Sequence, residues 1–143
     1  MKNMKRVIFF CLLLAIFLSF YTIHAKVQID GGVKIEGGLK IEDSICEGGV
    51  TLAWDANTEP DLAGYKIYYD IDSGPPYSPS AEYYASEGAS PVTVTLINLG
   101  DPNNPTYSLT NLMVGEKYYF VVTAYDTEDL NSDYSDEVYC LIV

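Results

Sequence analysis

Apolar and polar residues alternate along several short runs of the chain, and turn-forming residues separate these runs. The first run, Val50 to Asp55, contains the single tryptophan, Trp54, near its end. The runs at 65–69, 92–97 and 118–125 have the same two-residue period. Successive side chains of a β-strand point to opposite faces, so this pattern predicts half-buried strands and an all-β fold. The predicted inward positions are Val50, Leu52, Trp54, Tyr65, Ile67, Tyr69, Tyr118, Phe120, Val122 and Ala124.

Residues 27–45 repeat every six positions, with Gly-Gly pairs at 31–32 and 37–38 and every aliphatic residue at an odd position. Two-residue hairpins at the glycine pairs would place polar residues on the same face as the aliphatic ones. A hexapeptide β-helix would have about one coil, which cannot bury a core of its own. One amphipathic strand keeps the aliphatic residues together and would span roughly 60 Å at about 3.3 Å per residue. We expect residues 39–45 to form the first strand and the rest to overhang, with a glycine-rich flexible spacer as the alternative.

Residues 1–25 have the features of an export signal: basic residues, an apolar run from Val7 to Tyr21, and a small residue, Ala25, at the expected cleavage site. The alternative is a membrane anchor, but the run is shorter than the roughly 20 apolar residues that span a bilayer. After cleavage, five lysines would face twenty acidic residues, a net charge of −15. This charge argues against nucleic acid and anionic membranes as partners.

The only histidine, His24, lies in the predicted export signal. Its removal would leave no Ser-His-Asp or Cys-His arrangement and no imidazole metal ligand. A carboxylate pair could still hydrolyse a glycoside, but it needs a cleft that a single small domain rarely supplies. We therefore expect a protein that is not an enzyme.

The stretch from Leu112 to Ala124 resembles the fibronectin type III pattern L-x-P-G-x-x-Y-x-F-x-V-x-A, with Leu112, Gly115 and Tyr118 at its fixed positions and Val114 in place of proline. The resemblance implies an immunoglobulin-like β-sandwich in which the Tyr118 hydroxyl bonds backbone upstream, the tyrosine corner. It extends over about residues 46–143, through Trp54 as a core residue and the runs at 61–69, 107–112 and 131–138. The predicted organisation is a signal at 1–25, the repetitive strand extension at 26–45, and the domain at 46–143.

The resemblance has two further implications. The long connection from Asp70 to Thr106 would hold enlarged edge strands at 81–85 and 92–97. The turn after the first strand and the end of the last strand would lie at the same pole, so that Cys46 and Cys140 could form a disulfide after export. Two small buried cysteines are the alternative.

Two acidic groups are candidates for a calcium site, because carboxylate oxygens are the ligands that Ca²⁺ prefers. Asp70 and Asp72 precede a Ser-Gly turn, and the second group lies before the last strand. Solvated turn residues are the ordinary explanation for both, and no other cofactor is indicated. The second group comprises Asp126, Glu128, Asp129, Asn131 and Asp133, of which Asp126, Glu128 and Asp129 are the candidate ligands.

Several tyrosines are not needed for the predicted core and are candidates for binding, since tyrosine rings bury area at low entropic cost. Their strand propensity is the alternative explanation. These tyrosines are Tyr68, Tyr77, Tyr83, Tyr84, Tyr119 and Tyr125.

These features predict a secreted, periplasmic or cell-surface module that binds protein or polysaccharide without catalysis. The alternative is a structural subunit that forms oligomers or fibres by strand sharing. In that case residues 27–41 would pair with a strand edge of another copy, since the apolar end of the chain, 138–143, is expected to be an unprotected edge. Folding back of the N-terminal segment onto its own domain would instead cover that edge.

Overall fold

A computed structural model describes residues 25–28 and 45–143 of the chain. Most of the predicted export signal and of the six-residue repeat therefore lies outside the described residues. The described part contains eight strands and two short 3-10 helices, Ala81–Tyr83 and Leu96–Leu99. The strands are β1 (Ala25–Gln28), β2 (Ile45–Cys46), β3 (Gly49–Trp54), β4 (Leu62–Asp70), β5 (Val92–Thr95), β6 (Thr106–Thr110), β7 (Lys117–Asp126) and β8 (Val138–Ile142).

The strands form two sheets, one with the order β1-β3-β6 and the other with the order β2-β8-β7-β4-β5. All neighbours are antiparallel except β2 and β8, which run parallel. The core lies between the sheets, and it is filled by the alternate residues that the two-residue period assigns inward. Trp54 is buried there, with its ring edge-to-face against Tyr65 at 5.1 Å between centroids. The predicted all-β sandwich is thus confirmed for the described residues.

The turn before β7 has the geometry expected of a tyrosine corner. Tyr118 is fully buried, and its hydroxyl accepts a hydrogen bond from the Met113 N–H at 3.2 Å and donates one to the Tyr83 carbonyl at 3.2 Å. Gly115 takes the left-handed conformation with φ 93°, which glycine adopts without steric cost. Val114 is exposed in this turn, so the missing proline is replaced without any loss of core packing.

The connection between β4 and β6 differs from the two predicted edge strands. Only Val92–Thr95 forms a strand, β5, at the edge of the five-stranded sheet, and residues 81–85 contain a 3-10 helix instead. Tyrosine hydroxyls satisfy the backbone here in place of a strand partner: Tyr69 accepts from the Ala85 N–H and donates to the Gly88 carbonyl. The prediction of a strand at 81–85 was wrong because side chains from β4 and β7 supply the hydrogen bonds.

The N-terminal strands pair within the same chain. Strand β1 lines up with β3, with Ala25 opposite Trp54 and Gln28 opposite Thr51, so it begins at the last residue of the predicted export signal. Ile45, the one described residue of the expected first strand at 39–45, belongs to β2.

Strand β8 is therefore not an unprotected edge. Ile45 and Cys46 pair with Leu141 and Ile142, and the Val143 N–H donates to the Cys46 carbonyl at 2.9 Å. The expected open edge was wrong at these residues because β2 covers it.

Cys46 and Cys140 form a disulfide, with 6.0 Å between their Cα atoms. Both residues are buried in the core, one in β2 and the other in β8. The implied disulfide is confirmed, and it ties the strand before β3 to the last strand of the domain.

Candidate functional site

The outer face of the five-stranded sheet carries most of the exposed aromatic side chains. In β4 and β7 the residues facing the core alternate with outward residues, and the register pairs Tyr68 with Val121 and Lys66 with Thr123. We call the outward tyrosines on this side of the sheet the tyrosine face. Its members are Tyr68, Tyr119, Tyr125, Tyr134 and Tyr139.

Lysines lie over two of these rings. The Nζ of Lys66 is 5.1 Å from the ring centroid of Tyr125 and 2.7 Å from Asp129 Oδ1, and the Nζ of Lys117 is 4.9 Å from the ring centroid of Tyr139. Cation–π contacts of this geometry hold a ring in place at the surface. The ring of Tyr125 also lies against Gly64, where an added Cβ would be 2.9 Å from it.

Tyr134 links the sheet to the loop between β4 and β5. Its ring is edge-to-face with Tyr68 at 5.0 Å and with Tyr77 at 5.5 Å. Tyr134 is 44% exposed, whereas Tyr77 is only 4% exposed. The interpretation of Tyr77 as an outward binding residue was therefore wrong, because its ring packs beneath Tyr134 and its hydroxyl is engaged.

Glu137, just before β8, holds this loop in place. Its Oε2 accepts from the Tyr77 hydroxyl at 2.6 Å and the Gly74 N–H at 2.8 Å, and its Oε1 accepts from the Ser73 hydroxyl at 2.7 Å. Burial by itself would raise the pKa of Glu137, but these hydrogen bonds outweigh it and the pKa lies below its ordinary value. Burial and the neighbouring carboxylate raise the pKa of Tyr77, so the phenol stays protonated as the donor.

The segment before β8 runs along β7 without forming a regular strand, and two serines take the place of ladder partners. The Ser132 Oγ accepts from the Ala124 N–H and the Ser135 Oγ from the Val122 N–H, both at 3.0 Å. The N–H groups of the same serines donate to the Ala124 and Val122 carbonyls, both at 2.9 Å. A spacing of two residues in β7, from Val122 to Ala124, is thus matched by a spacing of three residues in the segment, from Ser132 to Ser135, and we call this arrangement the serine ladder. It positions Tyr134 between its two serines.

A pocket of about 200 Å³ opens on the tyrosine face, where β4 and β7 meet the serine ladder. Thr123 forms part of its wall and is 2% exposed, and its Oγ1 has no hydrogen-bond partner among the described residues. An unpaired buried hydroxyl is uncommon in a folded protein and calls for an explanation. The pocket is lined by Tyr68, Thr123, Asn131, Ser132, Asp133 and Tyr134.

The structure brings together only some of the tyrosines that the sequence singled out. Tyr68, Tyr119 and Tyr125 share the tyrosine face. Tyr83 is the last residue of the first 3-10 helix, and Tyr84 follows it directly. Sequence reasoning missed Tyr134 and Tyr139. The outward parity of Tyr139 relative to Cys140 could have indicated it, since Tyr139 pairs with Tyr119 across β8 and β7, with rings 5.9 Å apart.

The candidate calcium ligands do not converge. Asp70 is buried and accepts from the N–H groups of Ile71 and Ser78 at 2.7 and 2.6 Å. Asp126 Oδ1 accepts from two N–H groups of its own turn, both at 2.9 Å, and Asp129 pairs with Lys66. Asp72 and Glu128 are exposed. Among residues 25–28 and 45–143 no three acidic, cysteine or histidine side chains are grouped to hold a metal ion.

No protein-family model matches the sequence, and no curated protein matches it. Among solved structures, the crystal structure of the FN1–FN3 domains of chicken CNTN1 is similar at 17% sequence identity, with a TM-score of 0.46, over 71% of this chain and 30% of that one. The present chain therefore spans less than a third of the chain that it matches. By its strand order and its tyrosine corner, the described domain is a fibronectin type III-like β-sandwich.

Proposed function

We propose that this protein is an exported, non-catalytic binding module, and that the tyrosine face contacts a protein or polysaccharide at the cell envelope or outside the cell. The observation that carries the proposal is the gathering of five outward tyrosines on one side of one sheet. Tyrosine supplies rigid, amphipathic contact area at low entropic cost, and it is enriched where proteins bind partners.

The rings of the tyrosine face are held before any partner arrives. Contacts with Lys66, Lys117 and Gly64 restrain Tyr125 and Tyr139, and the serine ladder positions Tyr134. A surface whose side chains are already ordered loses less entropy on binding. Fibronectin type III-like domains are usually binding modules without catalytic activity, which agrees with this use of the sheet.

The disulfide supports a location outside the cytosol, since such bonds persist in oxidising compartments. In the part of the chain that the structure describes, no helix is long and apolar enough to cross a membrane. Together with the predicted export signal, the disulfide favours the periplasm, the cell surface or the extracellular medium.

Binding to isolated cell-envelope fractions of the host tests the proposal. The double variant Tyr119→Ser/Tyr139→Ser removes two neighbouring rings from the tyrosine face, and Tyr84→Ser removes an exposed ring elsewhere. We expect co-sedimentation to weaken about tenfold or more in the double variant, as for loss of an interface anchor, and to persist in the control. Equal binding by the wild type and the double variant would contradict the proposal.

Strand sharing is the second candidate function. Strand β1 holds an edge position in the three-stranded sheet through four paired residues, and the same pairing could be made by residues 25–28 of another copy. Deletion of residues 27–38 tests it by light scattering over a range of concentrations. Oligomers that form in the intact protein and disappear on deletion would support strand sharing, and a monomer at every concentration would rule it out.

A further inference from the structure

We propose that the partner of the tyrosine face is a basic polypeptide segment, and that a cationic side chain of this segment binds beside Tyr134 and Tyr68. This proposal rests on the proposed function of the tyrosine face as a binding surface, and it names the chemistry of the partner. A neutral polysaccharide and a second copy of the chain are the competing occupants of this surface.

The tyrosine face already holds ammonium groups against its rings. From β2 to the end of the chain there are only two basic residues, Lys66 and Lys117, and both lie on this face. Their Nζ atoms are 5.1 Å and 4.9 Å from the ring centroids of Tyr125 and Tyr139, within the distance at which a ring attracts a cation. The Lys66 Nζ is also 2.7 Å from the Oδ1 of Asp129. A tyrosine ring beside a carboxylate is therefore an arrangement that holds a cation on this surface.

Tyr134 offers a further ring on the same face, whereas both lysines lie over other rings. It is 44% exposed, so its packing against Tyr68 and Tyr77 leaves part of the ring open to solvent. Asp133 precedes it and lines the same pocket, and Asp136 follows two residues later. Both aspartates are exposed. The surroundings of Tyr134 thus contain the same two kinds of group, an aromatic ring and a carboxylate, that hold Lys66.

Charge favours a cationic partner over the other classes. The chain has twenty acidic residues and eight basic ones, a net charge of −12, and Asp129, Asp133 and Asp136 are exposed close to the serine ladder in sequence. Such an excess attracts basic partners and repels acidic proteins and anionic polymers. A second copy would bring the same negative charge to the interface, so self-association through this face is disfavoured by the same repulsion.

The size of the pocket suits one side chain. Its volume of about 200 Å³ is below the roughly 300–1,000 Å³ of sites for drug-sized ligands. Tyr68 and Tyr134 supply aromatic surface for the methylene stem of a lysine or arginine. Asn131 and Asp133, which also line the pocket, carry side-chain oxygens that accept hydrogen bonds from cationic N–H groups. A planar guanidinium stacks on aromatic rings better than an ammonium group does, so arginine is the residue to test first.

Heteronuclear NMR titration of the intact protein tests the pocket. The probe is the peptide acetyl-Gly-Arg-Gly-amide, and its matched control carries citrulline, which has nearly the shape of arginine but no charge. In about 0.15 M salt, attraction beyond roughly 8 Å is screened, so binding reports local contacts. We expect saturable, millimolar binding of the arginine peptide with shifts at Asn131, Asp133 and Tyr134, and about fivefold weaker binding of the citrulline peptide. Equal binding of the two peptides, or saturable binding of neither, would overturn the proposal.

Two matched pairs of variants separate this site from the overall charge of the protein. Tyr134→Leu should weaken binding of the arginine peptide about fivefold, whereas Tyr84→Leu, which removes an exposed ring elsewhere, should leave it unchanged. Asp133→Asn and Glu82→Gln each remove one exposed negative charge, and only the first should weaken binding. Tyr134→Phe keeps the ring and should bind as the wild type does. Equal losses within either pair would overturn the site, and the second pair decides alone if Tyr134→Leu folds poorly.

Co-sedimentation with envelope fractions distinguishes failure of this proposal from failure of the proposed function. A basic partner predicts a clear loss of envelope binding as the salt concentration is raised, because salt screens the attraction between charges. Binding that is lost in Tyr119→Ser/Tyr139→Ser but is insensitive to salt would support the tyrosine face and overturn the basic partner in favour of a neutral polysaccharide. Oligomers that Tyr134→Leu disperses would overturn it in favour of a second copy. Envelope binding unchanged in the double variant would contradict the proposed function, whereas arginine-selective binding at Tyr134 would still support the cation site.

Discussion

Replacement of Ser135 by alanine should destabilise the domain more than its small size suggests. Ser135 is 7% exposed, and its Oγ accepts from the Val122 N–H at 3.0 Å and donates to the Asp136 carbonyl at 3.0 Å. Val122 is fully buried, so water cannot replace the lost acceptor without local opening. A buried donor without a partner costs about 1–3 kcal/mol, and we expect about 2 kcal/mol for Ser135→Ala.

Urea denaturation measures this change. With a slope of roughly 1.5 kcal/mol per M for a domain of this size, the unfolding midpoint should fall by about 1.3 M. The control is Ser108→Ala on β6, whose Oγ makes an exposed hydrogen bond with Thr51 at 2.8 Å. Surface substitutions of this kind stay within about 0.5 kcal/mol.

Hydrogen exchange locates the effect. In the wild type the Val122 amide should exchange slowly, and in Ser135→Ala its exchange should accelerate beyond the rise that the global loss of stability produces. Ser132→Ala should do the same at the Ala124 amide, since the Ser132 Oγ accepts from it. If Ser135→Ala costs no more than Ser108→Ala, or if the Val122 amide exchanges at an unchanged rate, the serine ladder does not satisfy β7 as described.

Three further changes have calculable outcomes. Tyr118→Phe should cost about 1–2 kcal/mol in urea denaturation because it deletes both corner hydrogen bonds, and Tyr119→Phe on the outer side of the same strand should cost little. Glu137→Gln should lose roughly 1 kcal/mol at pH 7, since one amide oxygen cannot accept all three hydrogen bonds. The folded pKa of Glu137 lies below its unfolded value, so this contribution is present above an ordinary glutamate pKa of about 4.3 and is lost as pH falls through the folded pKa. The difference in free energy of unfolding between the wild type and Glu137→Gln should therefore decrease as the pH is lowered, and a constant difference down to pH 2 would refute this prediction. Reduction of the disulfide between Cys46 and Cys140, 94 residues apart, should lower the free energy of unfolding by on the order of 4 kcal/mol, and a thermal midpoint insensitive to dithiothreitol would refute it.

The core was predictable because strands of period two assign each side chain to one face. Tyr65, Ile67 and Tyr69 were expected inward, and all three are fully buried. The corner was predictable from a local pattern, since the Tyr118 hydroxyl accepts a hydrogen bond from Met113, which is only five residues away in sequence. Both inferences depend on interactions within one strand or one turn.

The binding face was predictable only in part because its remaining contacts are long-range. Tyr77 lies in a loop without periodicity, and its burial depends on Glu137, sixty residues further along the chain. The serine ladder has a spacing of three residues, which breaks the two-residue period of a strand, so Tyr134 between its serines was not recognised as a surface aromatic. The strand expected at 81–85 failed for the same reason, since its backbone partners are hydroxyls of distant tyrosines.

Thr123 lies in β7 and Ser135 lies beside it, and both side chains carry a hydroxyl group. Only one of the two hydroxyls has hydrogen-bond partners in the described part of the chain. The Ser135 hydroxyl both accepts and donates within the domain, whereas the Thr123 hydroxyl does neither among the described residues. Removal of the Ser135 hydroxyl should destabilise the fold, whereas removal of the Thr123 hydroxyl should not. The Thr123 Oγ1 has almost no accessible surface, and the Trp54 Nε1 and the Glu59 Oε2 likewise lack a partner among the described residues. The unpaired hydroxyl is therefore enclosed by the packing of the fold, and an equal or higher stability of Thr123→Val would show that the fold gains nothing from it.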